Sequence, residues 1–361
     1  MYIKKLLTQY SDSKYNYSLD NECDVEKINA NSAKWVFKNG LVCGKIFERY
    51  KKINTGLFSK LTYPYNDPNS LEIIQLGSDL ISWLFLFDDE HGEGRVHVGE
   101  DRFIEKSELI EKLNSYRKLL ETEKLPTNRS PFHISILDFI KRVEKLNPDK
   151  KWKSRFSKAM GLYFDGCIEE YDYRRGFNHL NIETYFNIRS KSIGAYPVFE
   201  LITLYQGSNP YEIENEYNSD LLEKYLYHGA LLCSWVNDLF SLDKEISEKE
   251  ANNLVMVLKN EYALKDYDLA REKACEFNKA DLNQLKTIKN IYFLTNSLHP
   301  QLNNFLNRVR LWTIGNLYWT IITRRYKLNR KDIEVLFKSV NKLNLPDKIT
   351  ELFNISYLTS S

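Results

Sequence analysis

Apolar residues recur three and four positions apart along most of the 361-residue chain, and no useful stretch alternates strictly between apolar and polar. That pattern predicts helices and no sheet. Helices are expected over 32–50, 70–89, 105–122, 131–146, 151–174, 182–206, 218–244, 248–277, 280–296, 300–327 and 330–340, with the few prolines falling mostly between them. From Asn66 to Phe87 the chain is apolar on several faces, which marks an inner helix of a bundle. Leu221 to Phe240 and Val309 to Ile322 share that character. No repeat or long linker divides the chain, so one all-α domain is expected over 31–345. A polar N-terminal strap, 1–30, precedes it, and a short peripheral tail, 346–361, follows.

A content of 43% hydrophobic and 14% aromatic residues is enough for a substantial core. Fifty-one Lys and Arg against 49 Asp and Glu leave a charge of +2, so no global field recruits nucleic acid or an anionic membrane. The five cysteines, at 23, 43, 167, 233 and 275, form no C-x-x-C pair, which argues for reduced, mostly buried thiols. Thr8, Gln9, Ser11 and Asp12 interrupt any signal-peptide core, and no run approaches the roughly 20 apolar residues of a membrane span. A soluble cytoplasmic protein is expected, without stable membrane insertion. Such a protein would hold a lipid-like molecule inside a cavity.

The candidate chemistry sits at helix ends. Trp83, Phe85 and Phe87 run into Asp88, Asp89 and Glu93, a D-D-x-x-x-E pattern whose carboxylates suit a hard cation such as Mg²⁺. Gly92 and Gly94 suggest fraying there, which would let Glu93 swing. His91 and His97 are expected to be loop residues, because magnesium disfavours imidazole. Far downstream, Asn237, Ser241 and Glu245 stand four apart, so amide, hydroxyl and carboxylate form one helical stripe, with Lys244 on it to meet a phosphate oxygen. Trp312, Trp319 and Tyr326 stand seven apart, another single stripe. An aromatic stripe serves core packing as readily as a cavity wall.

With both motifs in view, the chain resembles the class I terpene synthases, which carry an aspartate-rich D-D-x-x-x-D/E motif and a second N/D-D-x-x-S/T-x-x-x-E motif. Asp88, Asp89 and Glu93 match the first; Asn237, Ser241 and Glu245 match the second. Arg189, before the Gly194 helix break, resembles the family's diphosphate-sensing arginine, and Arg325-Tyr326 its C-terminal pair. Many relatives have two adjacent arginines at the sensor, whereas Ser190 follows Arg189 here, leaving Lys191 as the fallback. The resemblance implies a helical bundle around a central apolar cavity, usually three Mg²⁺ ions, and cyclisation of farnesyl or geranylgeranyl diphosphate with release of diphosphate. Arg189, Arg325, Tyr326 and Lys244 would meet the diphosphate. Trp83, Phe85, Phe87, Trp312 and Trp319 would line the cavity, with Gly194 presenting a carbonyl to the cation. Homodimers are common in that family.

Two other classes remain at this point. A chain-elongating prenyl diphosphate synthase shares the bundle and the magnesium logic but resembles D-D-x-x-D at both sites, which Asn237/Ser241/Glu245 is not. An inactive isoprenoid-binding protein would keep the cavity without the chemistry, and every expected ligand is present.

Overall fold

The computed structural model describes residues 2–10, 24–51, 53–92, 104–173, 180–212, 216–248, 251–295, 297–323 and 325–326. Glu93, Gly94, His97, the helix expected over 330–340 and the tail at 346–361 lie outside the described residues. Among the described residues the regular structure is helical throughout, with no strand. In chain order the helices are α1 (Tyr2–Tyr10), α2 (Val25–Lys38), α3 (Gly44–Lys51), α4 (Thr55–Thr62), α5 (Ser70–Phe87), α6 (Lys106–Thr122) and α7 (Pro131–Glu144). Then come α8 (Trp152–Tyr171), α9 (Ile182–Ser192), α10 (Ala195–Glu200), α11 (Glu216–Glu248), α12 (Leu254–Glu261), α13 (Tyr267–Leu294) and α14 (Pro300–Ile322).

The boundaries follow local chemistry. Asp24, Asn54, Asn181, Asn253 and Asp266 each accept a backbone N–H of the turn they open, as N-caps do. The single helix expected over 32–50 is two, because the backbone between α2 and α3 passes through positive φ at Gly40 and Gly44. The segment 248–277 is likewise cut, at Ala263 with φ +48° and at the Asp266 cap. No break separates 277 from 280. Asn278, in the expected gap, is buried and bonded to Tyr10 and Gln9 of α1, and α13 runs through it.

The first residues form a packed helix. Tyr2, Ile3, Leu6, Leu7 and Tyr10 of α1 are buried against α13, and the Arg271 guanidinium lies 5.0 Å from the Tyr2 ring centre.

Helix α5 is the apolar inner helix that the pattern predicts. The stretch Ser70–Glu90 is long and apolar enough to cross a membrane by length and composition, contrary to the expectation that no run approaches that limit. Of its apolar 18-residue window 78% is buried within the protein, so its grease faces other helices. Around it, α4, α8, the α9–α10 pair, α11 and α14 enclose a cavity, to which each contributes side chains. Two glycines permit close approaches. A side chain at Gly166 would strike the backbone of Ser192, and one at Gly315 the carbonyl of Leu61, so α8 meets α9, and α14 meets α4, backbone to backbone. Cys167, Cys233 and Cys275 are buried outside any disulfide, and Cys43 is exposed.

Candidate active site

The cavity has one polar end. Asp88 of the first motif and Asn237, Ser241, Lys244 and Glu245 of α11 all line it, together with Arg189, Glu170, Arg325, Tyr326 and Asn252. Two motifs some 150 residues apart in the chain therefore open onto one space. The other walls come from Phe58, Ile81, Leu84, Phe85, Ala195, Val198, Cys233, Trp312 and Trp319.

At the end of α5 the helix widens into a π turn over Asp88–Gly92. Such turns hold an extra residue per hydrogen-bonded ring and recur at functional sites. The widened turn directs Asp88 into the cavity. Asp89 stands beside it with 36% of its side chain exposed, its Oδ1 3.6 Å from Nη2 of Arg325. Arg325 also lies over the Phe85 ring, 4.5 Å from its centre.

The α11 side is buried and closely wired. Its hub is Asp238, the second position of the motif, to which the sequence alone assigned no ligand role. Arg189 donates from Nε and Nη2 to Asp238 Oδ1, at 3.0 and 2.8 Å, and from Nη2 to Asn237 Oδ1 at 2.7 Å. The Tyr185 hydroxyl and the Leu254 backbone N–H both donate to Asp238 Oδ2, the latter at 3.0 Å. Asn253, the cap of α12, donates from Nδ2 to Glu245 Oε2 (2.7 Å) and to the Asp238 carbonyl (2.8 Å). Asn237 Nδ2 donates to the Tyr326 hydroxyl at 2.7 Å.

Electrostatics follow from this burial. Desolvation works against the Arg189 charge, but Asp238, Tyr185, Glu170 and Glu245 outweigh it, and the guanidinium pKa stands well above its ordinary value. Burial raises the Asp238 carboxyl, while Arg189, Tyr185 and the Leu254 N–H oppose that rise. Burial and the Asp238 charge push the Glu245 carboxyl up to about 7, against the pull of Ser241, Arg189 and Asn253.

The two basic residues of α9 point to different partners. Arg189 lines the cavity, whereas Lys191 points to Glu169, with Nζ 2.7 and 2.6 Å from its two carboxylate oxygens. Glu170, a residue with no sequence signal, sits next to Arg189 (Nη1 to Oε1, 3.7 Å) and accepts the Ser192 hydroxyl at 2.5 Å. Gly194, at φ +70°, breaks α9 from α10 and lines the cavity.

Two expected wall residues lie elsewhere. Trp83 and Phe87 stack on each other at 4.4 Å and pack against Tyr116 and Phe132, on the face of α5 turned away from the cavity. Trp83 Nε1 donates to the Phe132 carbonyl. Only Phe85 of the three aromatics faces inward, because neighbours two apart on a helix point about 200° apart. The stripe expected through Tyr326 is also interrupted. Helix α14 ends at Ile322, the cap Thr323 is extended, and Tyr326 reaches the cavity from beyond the helix. Phe58 of α4 is the wall residue that periodicity missed, stacked on Trp319 at 4.2 Å and 5.4 Å from Trp312.

The donor set suits a hard divalent cation. Carboxylate, amide and hydroxyl oxygens converge here, and Ser241 Oγ is buried without a hydrogen bond of ordinary geometry, although it is near enough to Glu245 to lower that carboxyl. Asn237 Oδ1 accepts from Arg189 and keeps a second lone pair. Among the described residues no three His, Cys, Asp or Glu side chains cluster as a metal cage. Any ion here would depend on amide, hydroxyl and substrate oxygens as well.

Comparison with known proteins agrees with this geometry. The family model described as "Terpene synthase family 2, C-terminal metal binding" matches residues 79–284. Germacrene A synthase from Nostoc punctiforme is 23% identical over 306 residues, covering 84% of this chain and 90% of that protein. The (+)-T-muurolol synthase ((2E,6E)-farnesyl diphosphate cyclizing) from Roseiflexus castenholzii is 23% identical over 304 residues, covering 84% and 89%. In three dimensions, the linalool/nerolidol synthase of Streptomyces clavuligerus, solved with 2-fluorogeranyl diphosphate, aligns at a TM-score of 0.69 and 19% identity. The alignment covers 82% of this chain and 98% of that one, which speaks to the fold.

Proposed function

The chain belongs to the class I terpene synthases of microbial type, in terpene synthase family 2 with its C-terminal metal-binding region, and from that premise we propose that it ionises and cyclises farnesyl diphosphate with Mg²⁺. The observation that carries the proposal is the single cavity onto which Asp88 and the Asn237/Ser241/Glu245 stripe both open, with a wall of mainly apolar and aromatic residues interrupted by Ser192 and Asn316. The choice of a fifteen-carbon substrate is supported by the named activity of the Roseiflexus relative.

Asp88 and Asp89 on one side, and Asn237, Ser241 and Glu245 on the other, would hold the magnesium, three ions by family resemblance. When bound, the metal neutralises charge on the departing diphosphate. Arg189, held charged by Asp238, and Arg325 offer forked donors to phosphate oxygens, with Lys244 and the Tyr326 hydroxyl beside them. These groups favour the charge that develops as the C–O bond breaks. The remaining allyl cation faces Phe58, Phe85, Trp312 and Trp319, whose ring faces stabilise positive charge and exclude water from most of the wall.

Incubation of the protein with Mg²⁺ and, separately, geranyl, farnesyl and geranylgeranyl diphosphate tests the reading. Cyclic fifteen-carbon product by gas chromatography with mass detection is expected from farnesyl diphosphate. A longer diphosphate formed with added isopentenyl diphosphate, or saturable binding without turnover, would overturn it.

A further inference from the structure

Helix α14 turns three residues into the cavity at spacings of four and three: Trp312, Asn316 and Trp319. The middle one is a carboxamide set between two indoles. Asn316 precedes the last residue of α14, Ile322, by six positions, so it lies about 9 Å along the axis from the helix end near Arg325 and Tyr326. It is 8% exposed, and its Nδ2 is buried with no hydrogen-bond partner. A buried amide donor is costly unless something answers it.

The helix cannot readily turn this group away. Gly315, its neighbour, sits against the Leu61 carbonyl of α4 so closely that any side chain there would collide, and Phe58 packs against both flanking indoles. The rotation of α14 is thus fixed by its packing, with Asn316 facing the chamber.

A prenyl chain offers this donor nothing. Its only hydrogen-bond acceptors are on the diphosphate, which the polar groups at the other end attract. Water is a small acceptor suited to such a group, and Asn316 can supply both a donor and an acceptor to it, with Tyr163 lining the same cavity. We propose that Asn316 holds a water molecule in the chamber and that this water captures the final cation, making the product a terpene alcohol. The inference rests on the cyclase reading above.

The step balances without any oxidant or reductant. Asn316 Nδ2 donates to one lone pair of the water, and the other lone pair forms the C–O bond to the cationic carbon. The resulting oxonium ion passes its extra proton to the diphosphate already released in the same reaction. Alcohol and protonated diphosphate are the products.

The test is turnover of farnesyl diphosphate with Mg²⁺ in ¹⁸O-enriched water, with cyclic products analysed by gas chromatography and mass detection. The unaltered protein is expected to give a cyclic alcohol carrying the heavy oxygen. In Asn316→Leu the ratio of cyclic alcohol to cyclic hydrocarbon is expected to fall about tenfold or more, and in Asn316→Ser to recover in part, since the loss is that of one water-binding hydrogen bond. Cyclic hydrocarbon alone from the unaltered protein overturns the inference and leaves the cyclase reading standing. So does an unchanged ratio in a folded Asn316→Leu protein, and should that variant misfold, the labelling result and Asn316→Ser decide. Absence of any cyclic product overturns the cyclase reading and this inference with it.

Discussion

The two sides of the cavity mouth are built differently. On α11 the motif residues are tied into a buried network in which Asp238 receives Arg189, Tyr185 and the first N–H of α12, while Asn253 clamps Glu245. At the end of α5 the carboxylates sit on a widened turn, with Asp89 partly in solvent and Arg325 at 3.6 Å from it. The α11 side is organised by the protein before any ligand arrives. The α5 side carries charge at the rim, where ions and substrate can complete it. A side chain on the first side is therefore bound up with the packing of α9, α11 and α12, whereas Asp89 on the second stands at the rim.

The largest effects separate those two roles. Asp238→Ala leaves the Arg189 guanidinium buried without its main counter-charge and strips a partner from Tyr185 and the Leu254 N–H. Breaking a buried pair by removing one member costs about 3–5 kcal/mol. Urea unfolding monitored by circular dichroism should record that loss, with turnover abolished alongside. Asp89→Ala, at the rim, is expected to change unfolding by no more than about 0.5 kcal/mol, yet to lower turnover by about 10²–10³-fold, the scale seen when one charge-stabilising group is removed. Equal destabilisation by both changes would erase the distinction.

The same contrast explains what could be read from the sequence. Helical periodicity and the four-residue spacing of Asn237, Ser241 and Glu245 are local properties, and they survive intact in α11. The roles of Asp238 and Glu170 depend on which helix faces them, and no local pattern carries that. Trp83 and Phe87 show the converse error: a helix buried on several faces has aromatics on all of them, and only packing selects Phe85 for the cavity. The spacing of Trp312 and Trp319 did mark the inward stripe of α14. Asn316 lies on that stripe too, and attention to aromatics alone passed it by.

Acid should act on the α11 side in two opposite directions. The Glu245 carboxyl titrates near 7 in the fold against 4.5 when free, so the folded protein binds this proton more tightly than the unfolded chain. Without metal, its contribution to stability is fully present below 4.5 and is lost as pH rises through about 7. On the proposed metal site, an ion held by Glu245 requires the carboxylate, so Mg²⁺ affinity is expected to move the other way and weaken by up to about tenfold per unit as pH falls below 7. Metal-free melting curves at several pH values should show the first trend, and Glu245→Gln should flatten it. The Mg²⁺ concentration for half-maximal turnover, compared at pH 6 and 7.5, reads the second.

The smallest expected effect locates the edge of the buried network. A single residue, Ser190, separates Arg189 from Lys191, and both are basic, yet α9 turns the first toward Asp238 and Asn237 and the second toward Glu169 on α8. Lys191 and Glu169 form a pair with 16% and 38% of their side chains exposed, the kind of ion pair worth roughly 0–1 kcal/mol. Lys191→Ala should therefore leave the apparent KM for the prenyl diphosphate and kcat within about twofold of the unaltered protein, whereas Arg189→Ala should cost about 10²-fold or more in kcat/KM. Steady-state kinetics on the two variants decide the matter. A loss in Lys191→Ala matching that of Arg189→Ala would mean that the diphosphate is sensed from the α8-facing side of α9, and the wired half of the mouth would then extend one helix further than Asp238 and its partners.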